Sequence, residues 1–302
     1  MIVVRPSDRL LRASFGLVRA VRPRQWTKNV LVFAAPGASG VLTTTDGIWR
    51  TLVVLVAFCA AASGTYLWND IADRESDRRH PTKCHRPIAA GVVSVRVAGV
   101  TGALLIVAAA VVAAVLGWKT LVVTVAYVAV TVAYSAVFRQ VAVLDLVAIA
   151  SGFVLRAVAG AVAVEVPMST WFLVCVSFGA LFVITGKRYA EFEELGASGS
   201  GSDARATLRV YTQPYLRTML TMSMSVAVVT YCLWAFESNT STGDGALLFE
   251  VSIVPLVAAF MRYLLVLDMG RGAAPEEVFA SDRVLQGFGV VWVVVYGLAV
   301  YV

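Results

Sequence analysis

Nine long apolar runs dominate the sequence, near residues 26–44, 48–69, 92–117, 119–138, 141–164, 168–186, 214–236, 246–267 and 284–302. Most reach the roughly 20 residues that carry a helix across about 30 Å of hydrocarbon. Inside lipid every backbone N–H and C=O must be satisfied within the protein, which leaves helices or closed barrels. The runs are continuous rather than alternating, so the helical solution is the one they support. With 59% hydrophobic and only 15% charged residues, little is left over for a separate soluble domain. The expected fold is therefore all-α: a polytopic membrane protein of about nine transmembrane helices, residues 1–302 forming one membrane-embedded domain.

Charge placement predicts the orientation. With a cytoplasmic N-terminus, the segments 1–28, 70–91, the turn near Arg139, 187–213 and 268–283 all lie inside. Those segments and their edges hold all of the 25 Lys and Arg except Arg50, Lys119, Arg156 and Arg262. Such asymmetry follows the positive-inside rule and predicts a multi-pass plasma-membrane protein with its N-terminus and charged loops in the cytoplasm. The net charge of +6 then faces anionic lipid head groups or an anionic substrate. No groove-reading motif or aromatic-basic platform accompanies it, so nucleic acid is not an expected partner. The N-terminal stretch carries arginines throughout and no cleavage-site pattern. Leu10, Leu11, Phe15, Val18 and Val21 recur at helical spacing, with Arg9, Arg12 and Arg19 off that stripe, so residues 1–25 read as an amphipathic interfacial segment. "GASGSGSDA" at 196–204 reads as a flexible linker. Three of the four cysteines fall within the apolar runs, and a disulfide framework is not expected.

The stretch "NDIADRESDRRHPTKCHRP", 69–87, sets a dense patch of charge against the end of the second apolar run. If that run continues as a helix, Asn69, Asp73 and Asp77 share one face at i, i+4 and i+8, with Asp70 beside them. Oxygen donors crowded on one stripe need a cation. Asn and Asp oxygens suit magnesium, which takes one or two carboxylates plus substrate phosphate oxygens. Arg74, Arg78, Arg79, Lys83 and Arg86 interleave with them and suit phosphate oxygens. His80, Cys84 and His85 lack the fourth ligand of a closed zinc site.

A second cluster, "GKRYAEFEEL" at 186–195, follows the sixth run on the same predicted side. It presents Lys187, Arg188, Glu191 and Glu194. Inside the membrane, Asp145 and Arg156 stand 11 residues apart on one helix face, too far apart (~16 Å by helix rise) to pair directly. Arg156 near mid-span costs at least about 2.5 kcal/mol unless it meets water or a partner. Tyr134 and Ser135 close the fourth run and offer hydroxyls on the same side.

Together, N-D-x-x-D-x-x-x-D at 69–77, H-R-P at 85–87, Y-S at 134–135 and the second charged segment resemble the UbiA superfamily of intramembrane transferases, over nearly the whole chain. Within it, "RPRQWTKN" at 22–29, "VLDLVAIASGFVLRAVAG" at 143–160 and "GKRYAEFEEL" resemble the decaprenyl-phosphate phosphoribosyltransferase branch. The resemblance implies Mg2+-dependent transfer of 5-phosphoribose from phosphoribosyl pyrophosphate to decaprenyl phosphate, with 70–91 and 187–213 as catalytic loops. The product would be the precursor of the arabinose donor for cell-wall arabinan. It implies a metal site at Asn69, Asp70, Asp73 and Asp77, catalytic roles for Asp73, Asp77, Tyr134 and Lys187, and substrate contacts from Arg22, Lys28, Asn69, Arg74, Arg78, Lys83, Arg86, Arg156, Lys187, Arg188 and Glu191. One departure stands out. UbiA prenyltransferases carry two Asp four apart in the second loop; here Glu191 matches the first, but Leu195 stands at the second. Lys187 and Arg188 would then hold phosphate where a carboxylate holds metal.

Three other readings compete. A UbiA-type aromatic prenyltransferase would want the second acidic pair intact. A CDP-alcohol phosphotransferase would need D-G-x-x-A-R, which is absent. A transporter of an anionic solute would favour inverted repeats with broken mid-span helices. The sequence leaves a homo-oligomer open.

Overall fold

The computed structural model describes residues 14–198, 206–239 and 246–302. Among them eight helices are long and apolar enough to cross a membrane. They are α1 (Thr45–Ala72), α2 (Val95–Leu116), α3 (Trp118–Ala136), α4 (Leu144–Ala163), α5 (Thr170–Ser198), α6 (Gln213–Asn239), α7 (Ile253–Asp268, continuing a short helix Ala246–Val251) and α8 (Arg283–Tyr301). The described residues contain no strand. The chain is a multi-pass, all-α membrane protein.

The expected first span is the exception. Residues 26–44 do not form one continuous helix but a 3-10 segment (Pro23–Phe33), a five-residue helix (Ala34–Ala38) and a 3-10 turn (Val41–Thr43). Pro36 lacks an N–H to continue the ladder, and Gly40 turns the chain at φ +76°. The amphipathic stripe proposed for 1–25 is described only from Ser14. There Phe15 and Val18 are exposed on a helical turn, while Leu10, Leu11, Arg9 and Arg12 lie outside the described residues. Most of the linker at 196–204 also lies outside them.

Local signals explain the helix ends. Thr44 caps α1 by accepting from Gly47 N at 3.0 Å, and Ser94 caps α2 by accepting from Val97 N at 3.2 Å. Gly117, at φ +134°, separates α2 from α3. α1 breaks at Asp73 (φ −87°, ψ 1°), and a short helix, Arg74–Arg79, follows. α5 runs past its apolar stretch to Ser198. The second charged cluster thus rides on a helix extension rather than on a loop.

The chain forms two compact units, both discontinuous in sequence. The first comprises Met1–Ala34, Thr44–Ser135 and Leu155–Glu165. Its core gathers Val32, Val54, Phe58, Ala61, Ala62, Ala109, Tyr127 and Ala159. α1 and α2 approach so closely that a Cβ added at Gly64 would lie 2.7 Å from the Gly102 carbonyl oxygen, the small-residue contact by which membrane helices pack. The second unit comprises Ala35–Thr43, Ala136–Val154 and Val166–Val302. Phe182, Leu216, Leu220, Tyr263, Val266 and Leu267 build its centre, and Tyr231, Trp234, Phe249, Trp292 and Tyr296 form an aromatic cluster.

Asp282 starts α8 by accepting from Leu285 N at 2.8 Å, and it holds Arg262 through two bonds, at 3.1 and 2.8 Å. These bonds, the Arg262 contact foremost, pull its carboxyl down to about 2. An unfolded Asp titrates near ~3.9, so the contribution of Asp282 to stability is complete above that value and is lost as pH falls through about 2. Asp282→Asn should therefore melt lower than wild type at pH 7 in detergent, with the gap closing as pH drops from about 4 towards 2. A gap of constant size over that range would refute the linkage.

Candidate active site

In the first unit, the end of α1 brings Asp70 into a buried position, 2% exposed, and the short helix that follows buries Asp77. Arg86, from the segment after the 3-10 turn Lys83–His85, joins them. Its Nη1 donates to Asp70 Oδ1 at 3.1 Å and to Asp77 Oδ2 at 2.7 Å. Arg22 donates to the same Asp70 oxygen and lies over the Tyr66 ring, 5.2 Å from its centroid. Arg22 itself sits at φ +55°, a region disfavoured for a side-chain-bearing residue. Two like charges held this close persist because two guanidinium groups neutralise them.

The predicted continuous stripe is modified by the break in α1. Asn69, Asp73 and Asp77 do not continue on one helix; Asp73 is the hinge, and Asp70 and Asp77 are the carboxylates that meet. Helical i+4 backbone bonds still cross it, from Asp73 N to Asn69 O at 2.9 Å and from Asp77 N to Asp73 O at 2.8 Å, so the turn is tight. Two polar atoms here are buried without a hydrogen-bond partner among the described residues: Asn69 Oδ1 and Arg74 Nε. Arg78 donates from Nε to Ala89 O at 3.0 Å and from Nη1 to Glu75 at 3.1 Å, which ties the short helix to the following segment. Lys83 is exposed, and Lys28 is half-buried on the 3-10 segment Pro23–Phe33.

Deeper in the same unit, Arg156 is buried, and α4 presents it to two partners. Its Nε donates to Asn29 Oδ1 at 2.7 Å and its Nη2 to Tyr127 OH at 2.9 Å, with the guanidinium 4.7 Å from the Tyr127 ring centroid. Asn29 in turn donates to Cys59 Sγ at 3.2 Å. The expectation that a mid-span arginine needs a partner is met by protein groups. Tyr134, half-buried, lies near the end of α3.

In the second unit a different centre forms around Asp145, in the first turn of α4. Arg188 Nε donates to Asp145 Oδ2 at 2.9 Å, Tyr211 OH to Oδ1 at 2.5 Å and Thr207 Oγ1 to Oδ2 at 3.4 Å. Arg188 Nη1 also reaches Glu191 Oε2 at 2.6 Å. Val143, at φ +70°, directs its N–H onto Tyr211 OH at 2.7 Å. Burial first, and the bond to Asp145 second, hold the Tyr211 phenol well above its ordinary pKa, so it remains a donor. The resemblance implies that Arg188, with Lys187, binds substrate phosphate. Instead it is 1% exposed, its guanidinium enclosed by Asp145 and Glu191. Lys187 keeps 29% of its side chain exposed, with Nζ 4.0 Å from Glu191 Oε1. The sequence singled out Asp145 as an intramembrane charge, but Tyr211 and Thr207 carried no signal of their own.

Residues 30–286 match the UbiA prenyltransferase family. The chain belongs to the UbiA family. Relatives named decaprenyl-phosphate phosphoribosyltransferase are 43% identical in Mycolicibacterium smegmatis, over 95% of this chain and 92% of that protein. The figure is 40% in Mycobacterium tuberculosis, over 99% of this chain and 98% of the relative. Among solved structures, a UbiA homolog from Archaeoglobus fulgidus bound to GPP and Mg2+ aligns with TM-score 0.69 at 19% identity, covering 95% of this chain and 99% of that one. At that identity the likeness establishes the fold.

Whether this UbiA-family chain suits a magnesium ion is a question of donor chemistry. Among the described residues no group of three or more His, Cys, Asp or Glu is gathered as a ready-made metal cage. What is gathered is two carboxylates, Asp70 and Asp77, within reach of one Arg86 nitrogen, with a buried, unpartnered Asn69 Oδ1 nearby in the chain. Few protein oxygens with room for substrate oxygens is the arrangement Mg2+ favours when it is bound together with a phosphate ligand. The residues fit that group.

Proposed function

We propose that the protein is a decaprenyl-phosphate phosphoribosyltransferase, transferring 5-phosphoribose from phosphoribosyl pyrophosphate to decaprenyl phosphate. The observation that carries this reading is the 40–43% identity to relatives so named, over 95–99% of the chain. In the reaction an oxygen of the acceptor phosphate forms the new bond to C1 of the ribose. The C1–O bond to the diphosphate breaks, and pyrophosphate leaves with the bonding electrons.

Negative charge grows on the leaving diphosphate, so the main demand is electrostatic. Asn69, Asp70, Asp73 and Asp77 would hold Mg2+, which when bound neutralises the diphosphate oxygens. Arg22, Arg74, Arg78, Lys83 and Arg86 would supply donors suited to phosphate. Arg86, which bonds both Asp70 and Asp77, and Arg22, which bonds Asp70, would keep the carboxylates oriented until the substrate arrives. Lys187 would take the 5-phosphate, with Glu191 and Arg188 fixing its helix. Lys28 and Arg156 would position the acceptor phosphate, which is already an anion and needs no strong base. Tyr134 would donate its hydroxyl near the reacting oxygens. The product, decaprenylphosphoryl-5-phosphoribose, fits a precursor of the arabinose donor for cell-wall arabinan.

The direct test incubates purified protein with labelled phosphoribosyl pyrophosphate and decaprenyl phosphate, with and without EDTA. Label should pass to the lipid only when Mg2+ is present. Turnover of a polyprenyl diphosphate with an aromatic acceptor, and none of phosphoribosyl pyrophosphate, would assign the chain to aromatic prenyl transfer.

The site would face the cytoplasm at the plasma membrane. A cysteine placed at the exposed position 79, in a background without native thiols, should react with a membrane-impermeant maleimide only after cells are opened. Labelling from outside intact cells would reverse the orientation.

A further inference from the structure

A groove of about 430 Å³ opens on the second unit between α5, α6 and α7, within the roughly 300–1,000 Å³ of ligand pockets. Leu220, Met261, Leu264 and Leu265 wall its length, and Met261 and Leu265 are exposed, as side chains facing lipid are. From Met261 to the last residue of α7 is seven positions, or about 10 Å of helix rise, which carries the groove from the polar edge into the hydrocarbon. Among the residues that line it are one cation and one anion, and Glu193, bonded to Gln213, lies near the cation without lining the groove. Arg217, one turn into α6, and Asp268, ending α7, lie at the same end of two antiparallel spans.

Arg217 is built into place. Tyr189, a buried side chain from α5, accepts from Arg217 Nε at 3.2 Å and Nη2 at 2.9 Å, and its ring centroid lies 5.7 Å from the guanidinium carbon. The arginine thus holds one edge against the phenol, while Nη1 makes no bond among the described residues. Asp268 receives a single contact from Arg217 Nη2, at 3.4 Å between two exposed groups. An exposed pair of this length contributes little by itself and exchanges readily for other charges.

From this we infer that the groove binds one phospholipid with a primary ammonium head group, of the phosphatidylethanolamine class. One acyl chain lies along Leu220, Met261 and Leu264, the phosphate accepts from Arg217, and the ammonium donates to Asp268. A phosphate followed two carbons later by an ammonium matches a fixed cation beside an anion. An anionic glycerol head group leaves Asp268 opposed to its charge. A choline head group presents no N–H to the carboxylate. This site is separate from the transfer chemistry and does not rest on that reading.

The experiment uses delipidated full-length protein in detergent, given phosphatidylethanolamine, phosphatidylcholine or phosphatidylglycerol with identical acyl chains. Native mass spectrometry counts bound lipid, and thermal unfolding reports stabilisation. Wild type should retain one phosphatidylethanolamine at least about fivefold more tightly than either other lipid. Asp268→Asn should erase the preference over phosphatidylglycerol, and Arg217→Gln should weaken retention of every phospholipid. Met261→Trp, which fills the groove and spares both charges, should also lower retention. Equal retention of the choline lipid by wild type would overturn the ammonium contact. Stronger retention of the glycerol lipid would make this a plain anion site and refute the assignment. Unchanged binding in Arg217→Gln or Met261→Trp would place the lipid elsewhere. The head-group series on wild type decides the matter should a variant fail to fold.

Discussion

Asp77→Asn and Asp73→Asn should each lower transfer from phosphoribosyl pyrophosphate by about 100-fold or more while the protein still inserts. The magnitude is that of removing one preorganised electrostatic group from the place where charge develops. Asp77 is buried and accepts from Arg86 at 2.7 Å, so the neutral amide removes a charge from a packed site with little change of shape. Two readouts separate metal holding from simple support of the fold. The Mg2+ concentration for half-maximal activity should rise in both variants, and excess Mg2+ should restore part of the rate. Glu165→Gln serves as the control, because that carboxylate is exposed and pairs with Arg50, outside the acidic segment; its rate should stay within about twofold of wild type. Near-normal turnover in both Asp variants, or in EDTA, would remove the acidic segment from the chemistry.

Much of the fold was readable because hydropathy encodes it directly. A run of twenty apolar residues leaves a backbone no other choice in lipid, and eight runs became helices for that reason. The run at 26–44 has the composition of a span but not its backbone, since Pro36 and Gly40 interrupt it where average hydropathy registers only greasiness. The break of α1 at Asp73 was hidden for a related reason. Periodicity projects residues onto an ideal helix, and nothing in N-D-x-x-D-x-x-x-D announces that the ladder turns there.

Partner choice was the larger gap. Asp145 and Arg156 were each marked by the cost of charge inside a membrane, and both proved to be held by polar groups. Which groups hold them depends on chain distances that no spacing rule reaches: Arg188 lies 43 residues from Asp145, Tyr211 lies 66, and Asn29 lies 127 from Arg156. Lys187 and Arg188 looked alike in the sequence. They differ by one position, about 100° around α5, and that rotation turns one towards an exposed face and the other into the core.

That rotation gives the neighbours opposite expected phenotypes. Arg188 is enclosed between Asp145 and Glu191, and Tyr211 and Thr207 bond the same Asp145 carboxylate. Arg188→Ala deletes the cation and leaves a buried carboxylate without its counter-charge, a change that destabilises by about 3–5 kcal/mol. The variant should melt well below wild type in detergent, express poorly and lose binding of all ligands together. Asp145→Ala should also destabilise, since it removes one of the two carboxylates that hold Arg188 and the acceptor of the Tyr211 phenol. Replacing both members at once, as Asp145→Leu with Arg188→Met, removes the stranded charge and should recover a substantial part of the stability lost by either single change. Lys187→Ala should behave differently. Its ammonium is partly exposed and 4.0 Å from Glu191, so melting should change little. Binding of phosphoribosyl pyrophosphate should weaken by roughly 10-fold or more, the scale of one charge-assisted hydrogen bond. Binding of bare pyrophosphate, which lacks the 5-phosphate, should barely move. Equal losses for the two ligands in Lys187→Ala would mean that the lysine reads only the diphosphate. A stable Arg188→Ala protein with selectively weakened sugar-phosphate binding would instead make Arg188 the phosphate ligand, with Asp145 merely holding it.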